Sequence, residues 1–179
     1  IEFTSAGDRT ADLRLAEWDI AGSVAHAIML GKTGLITPDE KDELLKGLAI
    51  LYGKASDGNL VIEDGVEDIH SQVEKELTVM IGDAGKKIHT GRSRNDQVLV
   101  DLRLYTRNAI DALAGNIERL FNRLQELSNQ HSDKLIPGYT HMQPAMVSSF
   151  WLWFGSWAES LADDLLLLGS ARAVIDRNP

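Results

Sequence analysis

From Val98 to Leu127 the apolar residues recur every three or four positions: Val98, Leu102, Tyr105, Ala109, Leu113, Ile117, Leu120, Leu124 and Leu127. That step is one face of an α-helix, and no proline interrupts residues 95–136. A helix over residues 95–130 would be roughly 54 Å long at 1.5 Å per residue. Gly115 inside it costs about 1 kcal/mol against alanine, which packing along the helix can offset. A stripe of that length has to be covered by other elements. A second run, Val147, Phe150, Phe154, Trp157, Leu161, Leu165, Leu168, Ala171 and Ile175, repeats the spacing. Trp151, Trp153 and Trp157 make this second helix apolar over more than one face, as in a helix buried in a bundle. The expected fold class is therefore all-α.

The residues before these two runs predict shorter helices. Residues 13–30 are apolar-rich and end at Gly31 and Gly34. Thr37-Pro38-Asp39-Glu40 combines a cap, a proline suited to the first helical position and a glutamate able to reach back. Leu44, Leu48, Leu51 and Ala55 give the helix that follows one apolar face, and Asp57-Gly58-Asn59 breaks it. Residues 60–66 are expected to be a loop. Ile69, Val73, Leu77, Met80 and Ala84 then recur at helical spacing, with Asp64, Glu67 and Asp68 near the positive end of the dipole and Gly82 and Gly85 as stops. Residues 86–94 and 131–144 carry no such periodicity and are expected to be polar loops. The expected organisation is a small N-terminal helical domain over residues 1–92. From 93 to 179 runs the start of a central long-helix bundle.

Composition removes several function classes. The chain has no cysteine, which excludes disulfides, a cysteine nucleophile and thiolate-ligated zinc, and fits a reducing, cytoplasmic setting. It carries 18 Lys+Arg against 27 Asp+Glu, a formal charge of -9, which argues against nucleic acid as a partner. No apolar run approaches a membrane span, and the first ten residues lack the basic and apolar regions of a signal peptide. The chain starts at Ile1 rather than Met, so a trimmed piece of a longer protein is expected. Phosphate-cradling glycine loops and the nucleophile-elbow motif are absent.

Three constellations could carry chemistry. In the first, Ser93-Arg94-Asn95-Asp96 runs from a basic loop into the long helix. Ser93 can cap, so free backbone N–H groups, the helix dipole and the guanidinium groups of Arg92 and Arg94 would converge as an anion site. A capped helix behind a solvated basic loop is the plainer alternative, and Gly91 favours function by letting backbone approach a ligand. In the second, Gly138-Tyr139-Thr140-His141-Met142-Gln143 lies between Pro137 and Pro144. His141 could serve as an acid or base near neutral pH, with Thr140 and Gln143 as hydrogen-bonding groups; an ordinary surface histidine is the alternative. In the third, His70 and Glu74 are four apart on one helical face, but no third metal ligand is evident, so an ion pair or supporting role is expected and no metal. Asp8 and Asp12 also share a helix face, for which solvation is the default.

His89-Thr90-Gly91-Arg92-Ser93-Arg94-Asn95-Asp96-Gln97-Val98 closely resembles the signature of the argininosuccinate lyase family. Pro137 to Gln143, Glu67-Asp68-Ile69-His70 and Asp19-Ile20-Ala21-Gly22-Ser23 resemble further landmarks of that family, in the same order and at matching spacings. The resemblance implies an all-α homotetramer with a central helix bundle and active sites shared between subunits. It implies reversible cleavage of argininosuccinate to arginine and fumarate, within arginine biosynthesis, without a cofactor. On the residues, it implies His141 and Thr140 in catalysis, and Ser93, Arg94, Asn95 and Thr140 at the substrate. Asp8 and Asp12 fall in the segment the family uses near substrate, and His70 supports the site. The partner is then a small anionic substrate, with no nucleic acid and no membrane.

Two departures stand out. Val147 occupies the place where the family usually has a proline, and a proline comes earlier as Pro144. The family's serine-bearing mobile loop is expected beyond Pro179, so this piece alone is expected to be inactive. The alternatives are another fumarate-releasing lyase of the superfamily, or a crystallin-like structural protein on the same scaffold. Retention of Arg94, Asn95, Thr140 and His141 argues against the latter.

Overall fold

The computed structural model describes residues 8–178, and these divide into two compact units, residues 8–105 with 178, and residues 106–177. The first unit opens with α1 (Asp8–Asp12) and a 3-10 turn, Leu13–Leu15. Then come α2 (Ala16–Lys32), α3 (Pro38–Ser56) and α4 (Ile69–Ile81), followed by a 3-10 stretch, Gly82–Lys87. The helix α5 (Arg94–Gln130) begins in this unit and continues into the second.

The apolar stripes close on one another as their spacing requires. Ile20, Ala27 and Leu30 of α2 meet Leu44, Leu48 and Leu51 of α3 and Ile69, Val73 and Leu77 of α4, all fully buried. Each large side chain so covered contributes about 1.5–3 kcal/mol relative to exposure. Residues 60–66 are a loop, but Leu60 and Ile62 are folded into this core. Ile88, inside the segment expected to be a polar loop, is buried in it too.

The helix ends follow their sequence signals. Thr37 accepts from the Glu40 N–H at 3.2 Å while Glu40 accepts from the Thr37 N–H at 2.9 Å, with Pro38 at the first position. Asp68 caps α4 by accepting from the Ser71 N–H at 2.8 Å. Gly82 ends α4 at φ 65°, a left-handed value that glycine adopts without a Cβ clash. Gly85 lies so close to the end of α4 that a Cβ there would stand 2.5 Å from the Thr78 backbone nitrogen.

The second unit holds the rest of α5, a hairpin of β1 (Leu135–Thr140) and β2 (Gln143–Ser149), and α6 (Phe150–Ile175). The hairpin corrects two expectations. Residues 131–144 are not all loop, because Leu135 pairs with Ser149 and Thr140 with Gln143 in an antiparallel ladder. Val147 belongs to β2 rather than to the final helix, which Ser149 caps through a 3.2 Å bond from the Leu152 N–H. A register shift falls between Pro137 and Tyr139, and a Cβ on the intervening Gly138 would lie 3.0 Å from the Met146 carbonyl. Proline and glycine are tolerated in such a two-stranded, bulged ribbon because little of the ladder needs their N–H or side chain.

α6 is fastened to α5 by polar contacts within this unit. Arg172 donates to Asp111 at 2.8 Å, and Ser128 Oγ donates to the Trp151 carbonyl at 2.9 Å. Phe150 stacks on Phe154 with centroids 6.0 Å apart. Among the described residues of α6 only Ala158 is buried, and Trp151, Trp153, Trp157, Leu166 and Leu167 stand exposed. A pair of helices can cover only one side of each other, so a stripe that is apolar on several faces stays open here.

Gly85→Ala is expected to destabilise the full chain by about 1–3 kcal/mol, because the added methyl meets backbone that cannot rotate away. Urea unfolding monitored by circular dichroism would check it; an unchanged midpoint would contradict the close approach.

Candidate active site

The site begins where α5 begins. Ser93 Oγ accepts from the Asn95 N–H at 3.2 Å, and the Asp96 carboxylate accepts from the Ser93 N–H at 3.1 Å. This is the reciprocal cap that the spacing of Ser93 and Asp96 predicts. It leaves the exposed side chain of Asn95 at the positive end of a long helix.

The two arginines do not converge there, which corrects the expectation of a shared anion site. Arg94 donates to Asp68 at 2.6 Å, to Glu67 at 3.3 Å and to Ser71 at 2.9 Å. Arg92 turns inward, donating to Ser23 Oγ at 3.1 Å and lying 3.2 Å from His89 Nδ1. Burial lowers the Arg92 pKa from its ordinary value, while Asp19, Asp101 and Asp96 pull it back up. The physical reason is the acid at the start of α4: Asp68 is already ordered as a cap, and Arg94 completes its coordination.

His70 is buried, with Nδ1 2.7 Å from Asp19 Oδ1 and 3.8 Å from Asp101 Oδ2. Burial alone would disfavour the imidazolium, but the hydrogen bond and charge of Asp19, with Asp101 and Asp68 behind it, raise the His70 pKa. Glu74, its partner on the same helix face, instead lies 3.7 Å from His89 Nε2. Burial and the nearby Arg92 lower the His89 pKa. Asp12 Oδ2 accepts from the Ile69 N–H at 3.4 Å, so it reaches the start of α4 rather than only solvent. Asp8 opens α1, and its side chain lies outside the described residues.

Thr140 and His141 belong to the second unit, at the tip of the hairpin. The two-residue connection is His141-Met142, at φ 47° and 60°. Two consecutive left-handed residues are what a tight hairpin turn requires, and Asn-Gly is the pair that meets the need most cheaply. Histidine and methionine there carry strain of about 1–3 kcal/mol each, the kind of outlier that marks functional positions. Both side chains are exposed, with Met142 at 93%.

Asp19, Asp101 and Gln97 are buried and had no assigned role in the sequence. A signal was available for one of them: Asp19 and Ser23 stand four apart within the otherwise apolar face of α2, whereas Gln97 and Asp101 lie beside the apolar stripe of α5 and not in it. Asp19, His70 and Asp101 each offer one atom within 4.8 Å of the others. The arrangement across this unit is thus an exposed, capped helix start standing over a buried acid–imidazole cluster.

The profile of a family described as "Lyase" matches residues 4–178. The chain belongs to this lyase family. Among curated relatives, it is 54% identical to an argininosuccinate lyase of Phocaeicola vulgatus over 99% of the chain and 40% of that protein. It is 41% identical to the argininosuccinate lyase of Sorangium cellulosum over its whole length and 42% of that protein. The chain therefore spans about two fifths of the length of the relatives it matches. Among solved structures, an EDDS lyase variant with bound fumarate superposes at a TM-score of 0.76, with 26% identity, 97% of this chain and 35% of that chain. A fumarate lyase:delta crystallin from Brucella melitensis superposes at 0.77, with 14% identity, covering 92% of this chain and 41% of that one, which shows the shared fold.

Met142→Gly is expected to stabilise the full chain by about 1 kcal/mol, because glycine accepts a left-handed φ without steric cost. A lowered thermal or urea midpoint would contradict the strained turn.

Proposed function

We propose that this sequence is the N-terminal part of an argininosuccinate lyase, a carbon–nitrogen lyase that cleaves argininosuccinate to arginine and fumarate. The observation that carries the reading is 54% identity over 99% of the chain, including the ten-residue segment His89–Val98 at the start of α5. The proposal extends to a cytoplasmic homotetramer whose active sites are shared between subunits. It also keeps the division into an N-terminal domain, residues 1–92, and a bundle from residue 93 onward. No cofactor enters the proposed reaction.

The chemistry suits these residues. A base removes a proton from the carbon beside a carboxylate of the succinyl group. The electron pair left behind then expels the guanidino nitrogen, giving the double bond of fumarate and, once that nitrogen is protonated, arginine. Charge builds on the carboxylate as the proton leaves, and preorganised donors lower that barrier. Asn95 and the α5 N-terminus supply such donors. Arg94 would join them by exchanging Asp68 and Glu67 for a substrate carboxylate, with Ser93 lining the same pocket and His70 beneath it. Asp8 and Asp12 stand near substrate in this reading. His141 takes part in proton transfer, Thr140 binds substrate beside it, and a serine from a later loop is the partner acid or base.

The alternatives of another fumarate-releasing lyase or a crystallin-like structural protein are separated by a substrate panel on the full-length protein, of which residues 1–179 are a part. Fumarate release from argininosuccinate, followed by its ultraviolet absorbance, is the expected outcome. His141→Asn should lower kcat by 10²-fold or more. It should leave the unfolding midpoint unchanged or higher, since asparagine suits a left-handed position. A near-normal rate would remove His141 from the mechanism. Residues 1–179 alone should release no fumarate, and robust turnover by them would overturn the need for a later loop.

A further inference from the structure

We propose that Asp19 and Asp101 share one proton at neutral pH, carried by Asp101, and that this neutral link positions the start of α5 beneath the Ser93–Asn95 turn. The proposal concerns a positioning device and rests on the helix-start site described above.

Three helices bring the groups together. Asp19 comes from α2, His70 from α4, and Gln97 and Asp101 from the first turns of α5. Asp19 and Asp101 are both completely buried. Asp19 Oδ1 is occupied, facing His70 Nδ1 at 2.7 Å and accepting from the Gln97 side-chain amide. Among the described residues, Asp19 Oδ2 and both oxygens of Asp101 have no hydrogen-bond partner. Ionised, Asp101 would place a buried charge with two bare acceptors in the interior, which is a costly arrangement even with His70 and Arg92 nearby. Protonated, it becomes a donor, and the unpartnered oxygen of Asp19 is an acceptor of the kind that proton needs. Two carboxyls held this close rarely ionise together.

The remaining charges facing the pair do not remove the need for the proton. His70 Nδ1 is 3.8 Å from Asp101 but already engaged with Asp19. Arg92 lies near enough to feel both acids, yet its guanidinium donates to Ser23 and contacts His89. Asp68 and Glu74 add negative charge from α4, toward His70 and His89 respectively. Gly22 on α2 packs beside Asp101, since a Cβ there would stand 3.4 Å from Oδ1, an ordinary contact distance. Consistent with this geometry, burial first and the charge of Asp19 second push the Asp101 pKa up to about 8, against the opposing pull of His70 and Arg92.

The sign of the pH effect follows. A group whose folded pKa is raised contributes stability that is complete below its unfolded pKa and is lost as pH rises through the folded value, here between about 4 and about 8. Asp101→Asn keeps a neutral donor of the same shape and does not titrate. Thermal unfolding of the full chain and of this variant would be followed from pH 5 to pH 8. The midpoint of Asp101→Asn relative to the unsubstituted chain is expected to rise by ~2 °C or more across that range. Asp101→Ala, which lacks the donor, should melt below Asp101→Asn at pH 5. A pH-independent difference would overturn the proposal. So would a variant that is less stable by a constant amount, since that places the proton on His70 with Asp101 as its counter-charge. Stabilisation of the unsubstituted chain by added Zn²⁺ or Mn²⁺, absent in Asp101→Asn, would make the cluster a cation site and also overturn it. Should Asp101→Asn fail to fold, infrared spectra of the unsubstituted chain decide. A buried carboxylic-acid band persisting at pH 6.5 supports the shared proton, and its absence refutes it.

Discussion

One oxygen atom, Asp19 Oδ1, meets His70 of α4 and Gln97 of α5 from its place on α2. Aliphatic packing is largely non-directional, and helices held by it alone can slide by a fraction of a turn at small cost. A buried carboxylate cannot follow such a slide, because each lost hydrogen bond leaves it bare. The cluster therefore converts a general preference for burial into one register among α2, α4 and the start of α5. The Ser93–Asp96 cap forms locally, but where it sets the exposed Asn95 within this unit depends on that register.

Much of the helical framework was legible because its signals are local. The Thr37–Glu40 capping box, the stripe Leu44, Leu48 and Leu51, and the unbroken run of α5 are each decided within a few turns of chain. The hairpin was not legible, for equally local reasons. Pro137, Gly138 and Pro144 are loop residues by preference, and β2 is mostly exposed on both faces, so no alternation marks it. Val147 lies three positions before Phe150 and so mimics the first step of the helical stripe that begins only at the Ser149 cap.

The candidate site was legible in identity more than in geometry. The ten-residue segment and the Thr140-His141 pair stand out as patterns, and the cap at Ser93 follows from spacing. The destinations of Arg92 and Arg94 do not, since a guanidinium on a flexible stem goes to the acids that the fold brings near it. The partners they reach, Asp68 for Arg94 and Ser23 for Arg92, lie 26 and 69 positions away in the chain, beyond the reach of any local rule.

The turn at His141-Met142 bears on the history of sequences like this one. Folding alone rewards a drift toward Asn-Gly at those two places, and mutation supplies that pair readily over long times. His141 and Met142 therefore stand where folding by itself would favour other residues, so this turn gives up some stability to hold an imidazole and a thioether out in solvent.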